Sequence, residues 1–245
     1  MSKVITLTSG KGGTGKSTLS AGLAVALVNR GNSVLLIDSD AGMRSLDILL
    51  GLSEQIVFDI ADVVSGSCTV DSAVYRCPQD KKLYMIPAPH NADEVLSPTI
   101  FKKIVQALKK RFNYVIIDAP AGVGLGFETA VAPAELVLAV ANTEPASLRG
   151  CGNVRVRLGE LNKKDVRLLI NKFNYKNFKN QAIYYNLDQI IDLTGIQLLG
   201  IVPEDKFFAA VTQRGEVISE PSGATVALDC IAARIEGESV PLSIS

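Results

Sequence analysis

Short apolar runs rich in β-branched residues alternate along this chain with stretches of helical periodicity. Runs of this kind, short and almost continuously apolar, are typical of strands buried on both faces of a parallel sheet. The runs are Val4–Thr8, Val34–Ile37, Leu83–Ile86, Tyr114–Ile117, Leu136–Val140, Val166–Ile170 and Leu198–Val202. The alternation predicts an α/β fold, with a mostly parallel twisted sheet and helices on both of its faces.

The predicted helices lie between most of these runs. They are Ser17–Asn29, Pro98–Arg111, Ala146–Leu161, Tyr184–Leu193 and Gly223–Ile235. In the first, Leu19, Leu23 and Leu27 recur at helical spacing, and Gly31 is expected to end the helix. Because no linker, low-complexity tract or internal repeat interrupts the pattern, residues 1–245 are expected to form a single domain.

Composition excludes several classes of protein. The chain has 245 residues, 47% hydrophobic and 20% charged, which is typical of a globular protein and not of a disordered one. It carries 25 Lys+Arg and 25 Asp+Glu, and this balance argues against a nucleic-acid coat or a polybasic membrane anchor. The four cysteines form no C-x-x-C pair, so they are expected to be reduced thiols. With no signal-peptide pattern and no long apolar run, the expected location is the cytoplasm.

The segment after the first apolar run fits the phosphate-loop pattern G-x-x-x-x-G-K-[ST] from Gly10 to Ser17. Its glycines let the backbone curl until successive N–H groups point at phosphate oxygens, and the following helix adds its positive end. Lys16 is expected to contact the β- and γ-phosphates, and the Ser17 hydroxyl is expected to ligate Mg²⁺. Because the loop lies between a predicted strand and a predicted helix, a chance glycine-rich turn is a poor explanation.

Acidic residues follow two of the other predicted strands. Asp118 comes directly after Tyr114–Ile117, and Asp38 and Asp40 follow Val34–Ile37. In an open α/β sheet the carboxyl ends of the strands line the ligand site. Asp118 is therefore expected to be the second contact to Mg²⁺, directly or through water. A single acid at a strand end is often only a helix cap, but three acids opposite a phosphate loop favour a functional role.

The extra lysine inside the loop, Lys11, is the most specific signal. The string Lys11-Gly12-Gly13-Thr14-Gly15-Lys16-Ser17 resembles the deviant Walker A motif of the MinD/ParA ATPases. The segments Asp38–Asp40 and Asp118–Gly122 look like the next two motifs of that family. The resemblance covers nearly the whole chain and is closest to the MinD branch, through Arg44–Asp47 and Val202–Asp205.

The resemblance implies a role for each matching residue in an Mg²⁺-dependent ATPase. Lys11 would reach across a homodimer interface to the partner's nucleotide, although a second contact within its own subunit is the alternative. Lys16 would hold the phosphates, Asp40 would orient the attacking water, and Ser17, Asp38 and Asp118 would hold Mg²⁺. The implied nucleotide-binding residues are Gly10, Lys11, Gly12, Gly13, Thr14, Gly15, Lys16, Ser17, Thr18, Asn171, Pro203 and Asp205.

The last three of these residues would form the base pocket. Asn171 resembles the family's adenine contact, since an amide can both donate to and accept from the adenine edge. Without the family, Asn171 is as well explained as a turn residue, and Pro203 as a loop residue.

The function implied is a MinD-like ATPase, an ATP-dependent dimerising switch in division-site selection or intracellular positioning. Its hydrolysis would be slow and stimulated by an activating protein partner. The alternative is a ParA-like ATPase that binds nucleic acid or an adaptor in DNA or cargo segregation. For that alternative the candidate surface is Lys172, Lys176 and Lys179, which alternate with aromatic residues. An ordinary loop is the competing interpretation of that segment, and nucleic-acid binding is not favoured.

Two regions depart from the MinD pattern. After Arg234 the chain has no Lys or Arg and contains Glu236, Glu238 and Pro241, so no C-terminal membrane-targeting helix is evident. Direct membrane binding is therefore not expected, and any membrane association would go through a partner. Gly150 falls where MinD proteins usually carry an acid, which affects the expected partner surface and not the nucleotide site.

Overall fold

The apolar runs of the sequence become the strands of one sheet. The computed structural model describes residues 2–41, 43–91, 96–181, 183–216 and 220–242. Its strands are β1 (Lys3–Thr8), β2 (Val34–Asp38), β3 (Tyr75–Arg76), β4 (Leu83–Ile86), β5 (Tyr114–Asp118), β6 (Leu136–Ala141), β7 (Val166–Phe173) and β8 (Leu198–Pro203). Within the described ranges they form an eight-stranded sheet in the order β3-β4-β2-β5-β1-β6-β7-β8.

Helices connect the strands across both faces of this sheet. They are α1 (Lys16–Asn29), α2 (Ser45–Leu49), α3 (Ile60–Ser65), α4 (Pro98–Leu108), α5 (Leu125–Val131), α6 (Pro145–Glu160), α7 (Tyr175–Gln181), α8 (Leu187–Thr194), α9 (Lys206–Gln213) and α10 (Gly223–Ile235). Every strand pair is parallel except β3 with β4, which is antiparallel. The α/β, mostly parallel architecture expected from the sequence is confirmed.

The alternation of side chains along each strand divides the core between the two faces. Ile5, Leu7 and Leu36 pack in one apolar cluster with residues of α1 and α10. Their sequence neighbours Val4 and Leu35 point the other way, into a cluster with α4. Because both faces are covered, strands β1, β2, β5 and β6 are buried almost throughout, which explains their continuous apolar character.

Several predicted boundaries are wrong. The helix predicted for Tyr184–Leu193 is α8, which begins at Leu187 because the Asn186 side chain accepts a hydrogen bond from the Gln189 N–H at 3.0 Å. The separate helix α7 before it was not predicted, and neither were α2, α3, α5 and α9. The helix predicted to reach Arg111 ends at Leu108, and the strand predicted to end at Ile170 continues to Phe173. The sequence also gave no signal for β3, since two residues are too short for an apolar alternation.

The strand order places the informative loops at one edge of the sheet. Strand β1 lies between β5 and β6, and β5 lies between β1 and β2. In register, Asp118 at the end of β5 is paired with Leu7 on one side and with Asp38 on the other. The loop that follows β1 therefore lies beside both acids. No helix in the described ranges is long and apolar enough to span a bilayer.

Candidate nucleotide-binding site

The loop between β1 and α1 has the backbone conformation that the glycine pattern predicts. Gly13 has a φ of 78° and Gly15 a φ of 85°, in the left-handed region that side chains with a Cβ disfavour. Gly15 is also the N-cap of α1, so the loop leads directly into the positive end of a helix with 14 residues. A glycine-rich loop that leads into the positive end of a helix, at the carboxyl edge of the sheet, is suited to bind an anion.

Lys16 points into this edge and not into solvent. It is 7% exposed, and its Nζ lies 2.9 Å from Oδ1 of the fully buried Asp118. The same Asp118 oxygen accepts a hydrogen bond from the Ser20 hydroxyl at 2.8 Å. The Lys16 Nζ is also 3.4 Å from the Ser17 Oγ. The structure thus brings together three of the residues predicted from the sequence: Lys16, Ser17 and Asp118.

Asp38 is the second buried carboxylate of the site. It accepts hydrogen bonds from the Asp40 N–H at 2.9 Å and from the Leu46 N–H at 3.2 Å. Burial, and then the negative charge of Asp118, raise the pKa of Asp38 to about 7. A second negative charge beside Asp118 is thus disfavoured, and a cation held between the two carboxylates would relieve that repulsion.

Asp40 lies at the rim of the same site. Burial raises the pKa of its carboxyl, while the charge of Lys16 opposes this. Asp40 lines a cavity of about 250 Å³ together with Ser39, Pro120, Ala121 and Gly124. The cavity separates the loop after β2 from the loop after β5, and it is large enough for several water molecules.

The residues expected to hold Mg²⁺ fit that ion. Ser17, Asp38 and Asp118 supply oxygen atoms only, which are the ligands that Mg²⁺ prefers. The Asp118 Oδ2 is buried and makes no hydrogen bond within the described part of the chain. A buried carboxylate oxygen without a partner is costly for the folded protein, and a cation ligated there would remove that cost.

Lys11, the lysine specific to the deviant motif, lies outside this cluster. Its Nζ forms an ion pair with Glu144 Oε2 at 2.9 Å, at the start of α6. Both side chains are about half exposed, so the pair is weak and easily exchanged for another partner. The hydrogen bond from Lys11 holds the pKa of Glu144 below its usual range. Lys11 and Lys16, five residues apart in one motif, thus have different surroundings.

The three residues expected in the base pocket differ in what they contact. Asn171 is buried at the end of β7, and its Nδ2 donates to the Thr14 carbonyl oxygen at 2.8 Å. Asp205 caps two helices, since it accepts from the Phe208 N–H of α9 at 2.9 Å and from the Ala224 N–H of α10 at 3.1 Å. Burial alone would raise the pKa of Asp205, but these donors lower it. Pro203 ends β8 and borders the same junction.

The three exposed lysines considered for nucleic acid differ in their contacts within the chain. Lys172 donates to the Gly13 carbonyl oxygen of the phosphate loop at 2.9 Å. Lys179 lies over the ring of Tyr175, with its Nζ 4.9 Å from the ring centroid. Two of the three candidate lysines therefore have contacts within the chain.

Sequence reasoning missed three participants in the site. Glu144 lies after β6, in a segment whose position at a strand end was a usable signal. Ser20 is one helical turn after Lys16, where a hydroxyl in an apolar helix face could have been noticed. The close approach of Gly10 to Gly150 had no local signal: a Cβ built on Gly150 would lie 2.9 Å from the Gly10 carbonyl carbon.

Comparison with known proteins extends these observations. A family model described as AAA domain matches residues 2–172. The septum site-determining protein MinD of Bacillus subtilis is 39% identical over 249 residues, covering 100% of this chain and 92% of that protein.

Two solved structures are also similar. The MinC:MinD cell division protein complex of Aquifex aeolicus contains a chain that matches with a TM-score of 0.91 and 35% identity, covering 99% of both chains. The MinD of Pyrococcus horikoshii OT3, complexed with Mg-ADP, matches with a TM-score of 0.85 and 26% identity over 96% of both chains.

Proposed function

Since this chain belongs to the MinD family of septum site-determining proteins, we propose that it is an Mg²⁺-dependent ATPase that acts as a dimerising switch. In its ATP-bound state two copies associate, and hydrolysis to ADP and phosphate separates them. The process it serves is the selection of the division site. Its proposed location is the cytoplasm, with membrane association through a partner.

One observation supports the proposal above all others. The phosphate loop Gly10–Ser17, the ammonium group of Lys16 and the buried carboxylates of Asp38 and Asp118 meet at one edge of the sheet. A loop that binds anions beside carboxylates that bind a cation matches a nucleotide with its metal ion. A group-transfer enzyme of another kind would need a second constellation of catalytic residues, which the described part of the chain does not present.

Different residues of the chain bind the phosphates and hold the metal ion. The amide groups of the loop and the start of α1 bind the phosphates, and Lys16 turns from Asp118 toward the β- and γ-oxygens. Ser17, Asp38 and Asp118 would ligate Mg²⁺, which when bound neutralises phosphate charge and aligns the γ-phosphoryl group. With Lys16 turned away, Asp118 Oδ1 would keep only its hydrogen bond from the Ser20 hydroxyl, so that both carboxylate oxygens would be available to hold the ion.

Asp40 is proposed to orient the attacking water. Its carboxyl lies at the rim of the cavity between the loops after β2 and β5, and not among the buried ligands. A half-buried carboxylate with a raised pKa is suited to accept a hydrogen bond or a proton from water. The phosphate oxygens themselves are held by other groups, so the role of Asp40 is separable from binding.

The proposal is tested with Asp40→Ala. We expect the variant to bind Mg-ATP with nearly wild-type affinity, measured by calorimetry, and to hydrolyse it about 100-fold more slowly or worse. Asp192→Ala, which removes an exposed carboxylate on α8, is the control and keeps both properties. Wild-type hydrolysis by Asp40→Ala refutes the role of Asp40, and a wild-type protein that binds no adenine nucleotide refutes the function as a whole.

A protein partner is proposed to stimulate hydrolysis. The Aquifex aeolicus relative has been solved as a MinC:MinD complex, which supports a partner of this kind for the present chain. Without a partner the site has Lys11 directed at Glu144 and away from the buried cluster, and a site lacking that cation is expected to turn over slowly.

A further inference from the structure

We infer that Lys172 is a positioning residue for the phosphate loop, which it holds from the outside through the Gly13 carbonyl. The inference rests on the proposed function, since it concerns how the same site binds its nucleotide. Lys172 was singled out in the sequence only as part of a candidate nucleic-acid surface. The structure gives it a different partner.

The first observation is the direction of the carbonyl groups of the loop. When successive N–H groups of a loop converge on an anion, the carbonyl oxygens of the same peptide units point outward and need donors of their own. The Lys172 Nζ donates to the Gly13 oxygen at 2.9 Å, and the Asn171 Nδ2 donates to the Thr14 oxygen at 2.8 Å. Two consecutive outward carbonyls are thus satisfied by two consecutive residues of β7.

The same two residues also contact the next glycine. A Cβ built on Gly15 would lie 2.3 Å from the Asn171 Nδ2 and 3.7 Å from the Lys172 Cε. The end of β7 is therefore packed against three consecutive loop residues, although about 160 residues of chain separate them. These contacts support the loop in its curled form.

The backbone of Lys172 is the second, independent observation. It has a φ of 53°, in the left-handed region where a residue with a Cβ is strained. A strained residue inside a strand persists only where its surroundings hold it, and such residues concentrate at functional sites. Here the unusual conformation turns the exposed side chain of Lys172 toward the loop.

The charge of Lys172 gives the contact a function. A cation at the Gly13 oxygen polarises the peptide unit that carries the Thr14 N–H, because hydrogen bonds in series strengthen one another. That N–H becomes a better donor to a phosphate oxygen. Lys16 and Lys11 do not duplicate this effect, since their ammonium groups are directed at Asp118 and Glu144.

The inference is tested with three substitutions of one residue. Lys172→Met keeps the apolar stem and removes the charge, Lys172→Arg keeps a cationic donor, and Lys172→Gly removes the side chain together with the backbone strain. We expect the dissociation constant of Mg-ADP, measured by calorimetry, to rise about three- to tenfold in Lys172→Met and Lys172→Gly. In Lys172→Arg it should stay within about twofold of the wild-type value.

Thermal unfolding without nucleotide separates this role from a merely structural one. Because glycine relieves the strain, Lys172→Gly should melt roughly 1–3 °C above Lys172→Met, while both lose the same affinity. Asn162→Gly is the matched control. Asn162 has a φ of 56° at the turn after α6, far along the chain from the loop, and its substitution should leave nucleotide binding unchanged.

The outcomes are distinguishable. Wild-type affinity in Lys172→Met and Lys172→Gly overturns the inference and leaves the proposed function intact. An affinity loss that follows the melting temperature across all the variants also overturns it, since the residue would then only support the fold. If the wild-type protein takes up no Mg-ADP, the proposed function itself fails.

Discussion

At the scale of single residues, the site is defined by two buried carboxylates that share one lysine. Asp38 and Asp118 are both fully buried, and the Lys16 ammonium contacts only one of them directly. The pKa of Asp38 is raised to about 7 from its ordinary value of 3.8, by burial first and by Asp118 second. Between about pH 4 and pH 7 the folded protein without its ligands therefore favours a protonated Asp38, whereas the unfolded chain favours an ionised one.

The raised pKa of Asp38 predicts how the stability of the protein, free of nucleotide and metal, depends on pH. Between about pH 4 and pH 7 the folded state binds more protons at Asp38 than the unfolded state, so the free energy of unfolding contributed by this group falls as the pH rises. We expect Asp38→Asn to abolish this decrease. At pH 8 the free energy of unfolding of the variant should exceed that of the wild type by roughly 1–3 kcal/mol. Urea unfolding in EDTA, repeated from pH 4 to pH 8, measures the free energy of unfolding of the wild type and of the variant.

Asp192→Asn is the control for that series. Its side chain is exposed on α8, so the substitution should leave the pH slope as in the wild type. If Asp38→Asn retains the wild-type slope, the proton is held elsewhere in the cluster. The same variant is expected to bind Mg-ATP more weakly, because it loses an anionic ligand.

At the scale of elements, helix α6 is packed against the phosphate loop through a contact between two glycines. A Cβ on Gly150 would lie 2.9 Å from the Gly10 carbonyl carbon and 3.1 Å from its Cα. A side chain at either position would push the loop and the helix apart. The departure of Gly150 from the family pattern thus bears on the nucleotide site, contrary to the expectation from sequence that it would affect only the partner surface.

Gly150→Ala is expected to disturb nucleotide binding by displacing Gly10. Alanine is favoured over glycine in a helix by about 0.5–1 kcal/mol, but here the gain is offset by the clash with backbone atoms. We expect a severalfold loss of Mg-ADP affinity, measured by calorimetry, with no increase in melting temperature.

Gly152→Ala, two residues further along α6, is the matched control. A Cβ there would have its nearest neighbour at 3.9 Å, so the alanine should raise the melting temperature slightly and leave affinity unchanged. If Gly150→Ala and Gly152→Ala have the same Mg-ADP affinity and the same melting temperature, the Gly10–Gly150 contact is unimportant for the loop.

At the scale of the whole molecule, the placement of Lys11 decides whether the site is complete in one copy of the chain. Lys11 is about half exposed and pairs with an equally exposed Glu144. An exposed ion pair contributes little to stability, so Lys11 is free to exchange Glu144 for a phosphate on a second copy. Association would then depend on the γ-phosphate, which makes ATP the ligand that favours the dimer.

Lys11→Met tests this arrangement. We expect the variant to bind Mg-ATP but to remain monomeric, whereas the wild type shifts to a dimer with Mg-ATP and not with Mg-ADP. Size-exclusion chromatography with light scattering measures the mass, and Asp40→Ala as a common background prevents turnover. Lys103→Met, an exposed lysine on α4, is the control. If Lys11→Met dimerises like the wild type, Lys11 does not contact the partner's nucleotide and acts within its own subunit.

Local sequence was enough for seven of the eight strands and five of the ten helices that the structure describes, and for the core of the site. Continuous apolar runs require burial on both faces, which only a parallel sheet covered by helices provides. The glycine spacing between Gly10 and Gly15 requires a curled loop, and Lys16 and Ser17 follow it directly. These features involve neighbours in the chain, so composition and spacing report them reliably.

The contacts that complete the site depend on strand order, which no local pattern encodes. The pairing of Lys11 with Glu144, the capping of the loop by Asn171 and Lys172, and the meeting of Gly10 with Gly150 each join residues more than 130 positions apart. They exist because β1 lies beside β6, which is followed by β7. A side chain's partner across such a distance is decided by which strands pair in the sheet, and only the folded molecule contains that information.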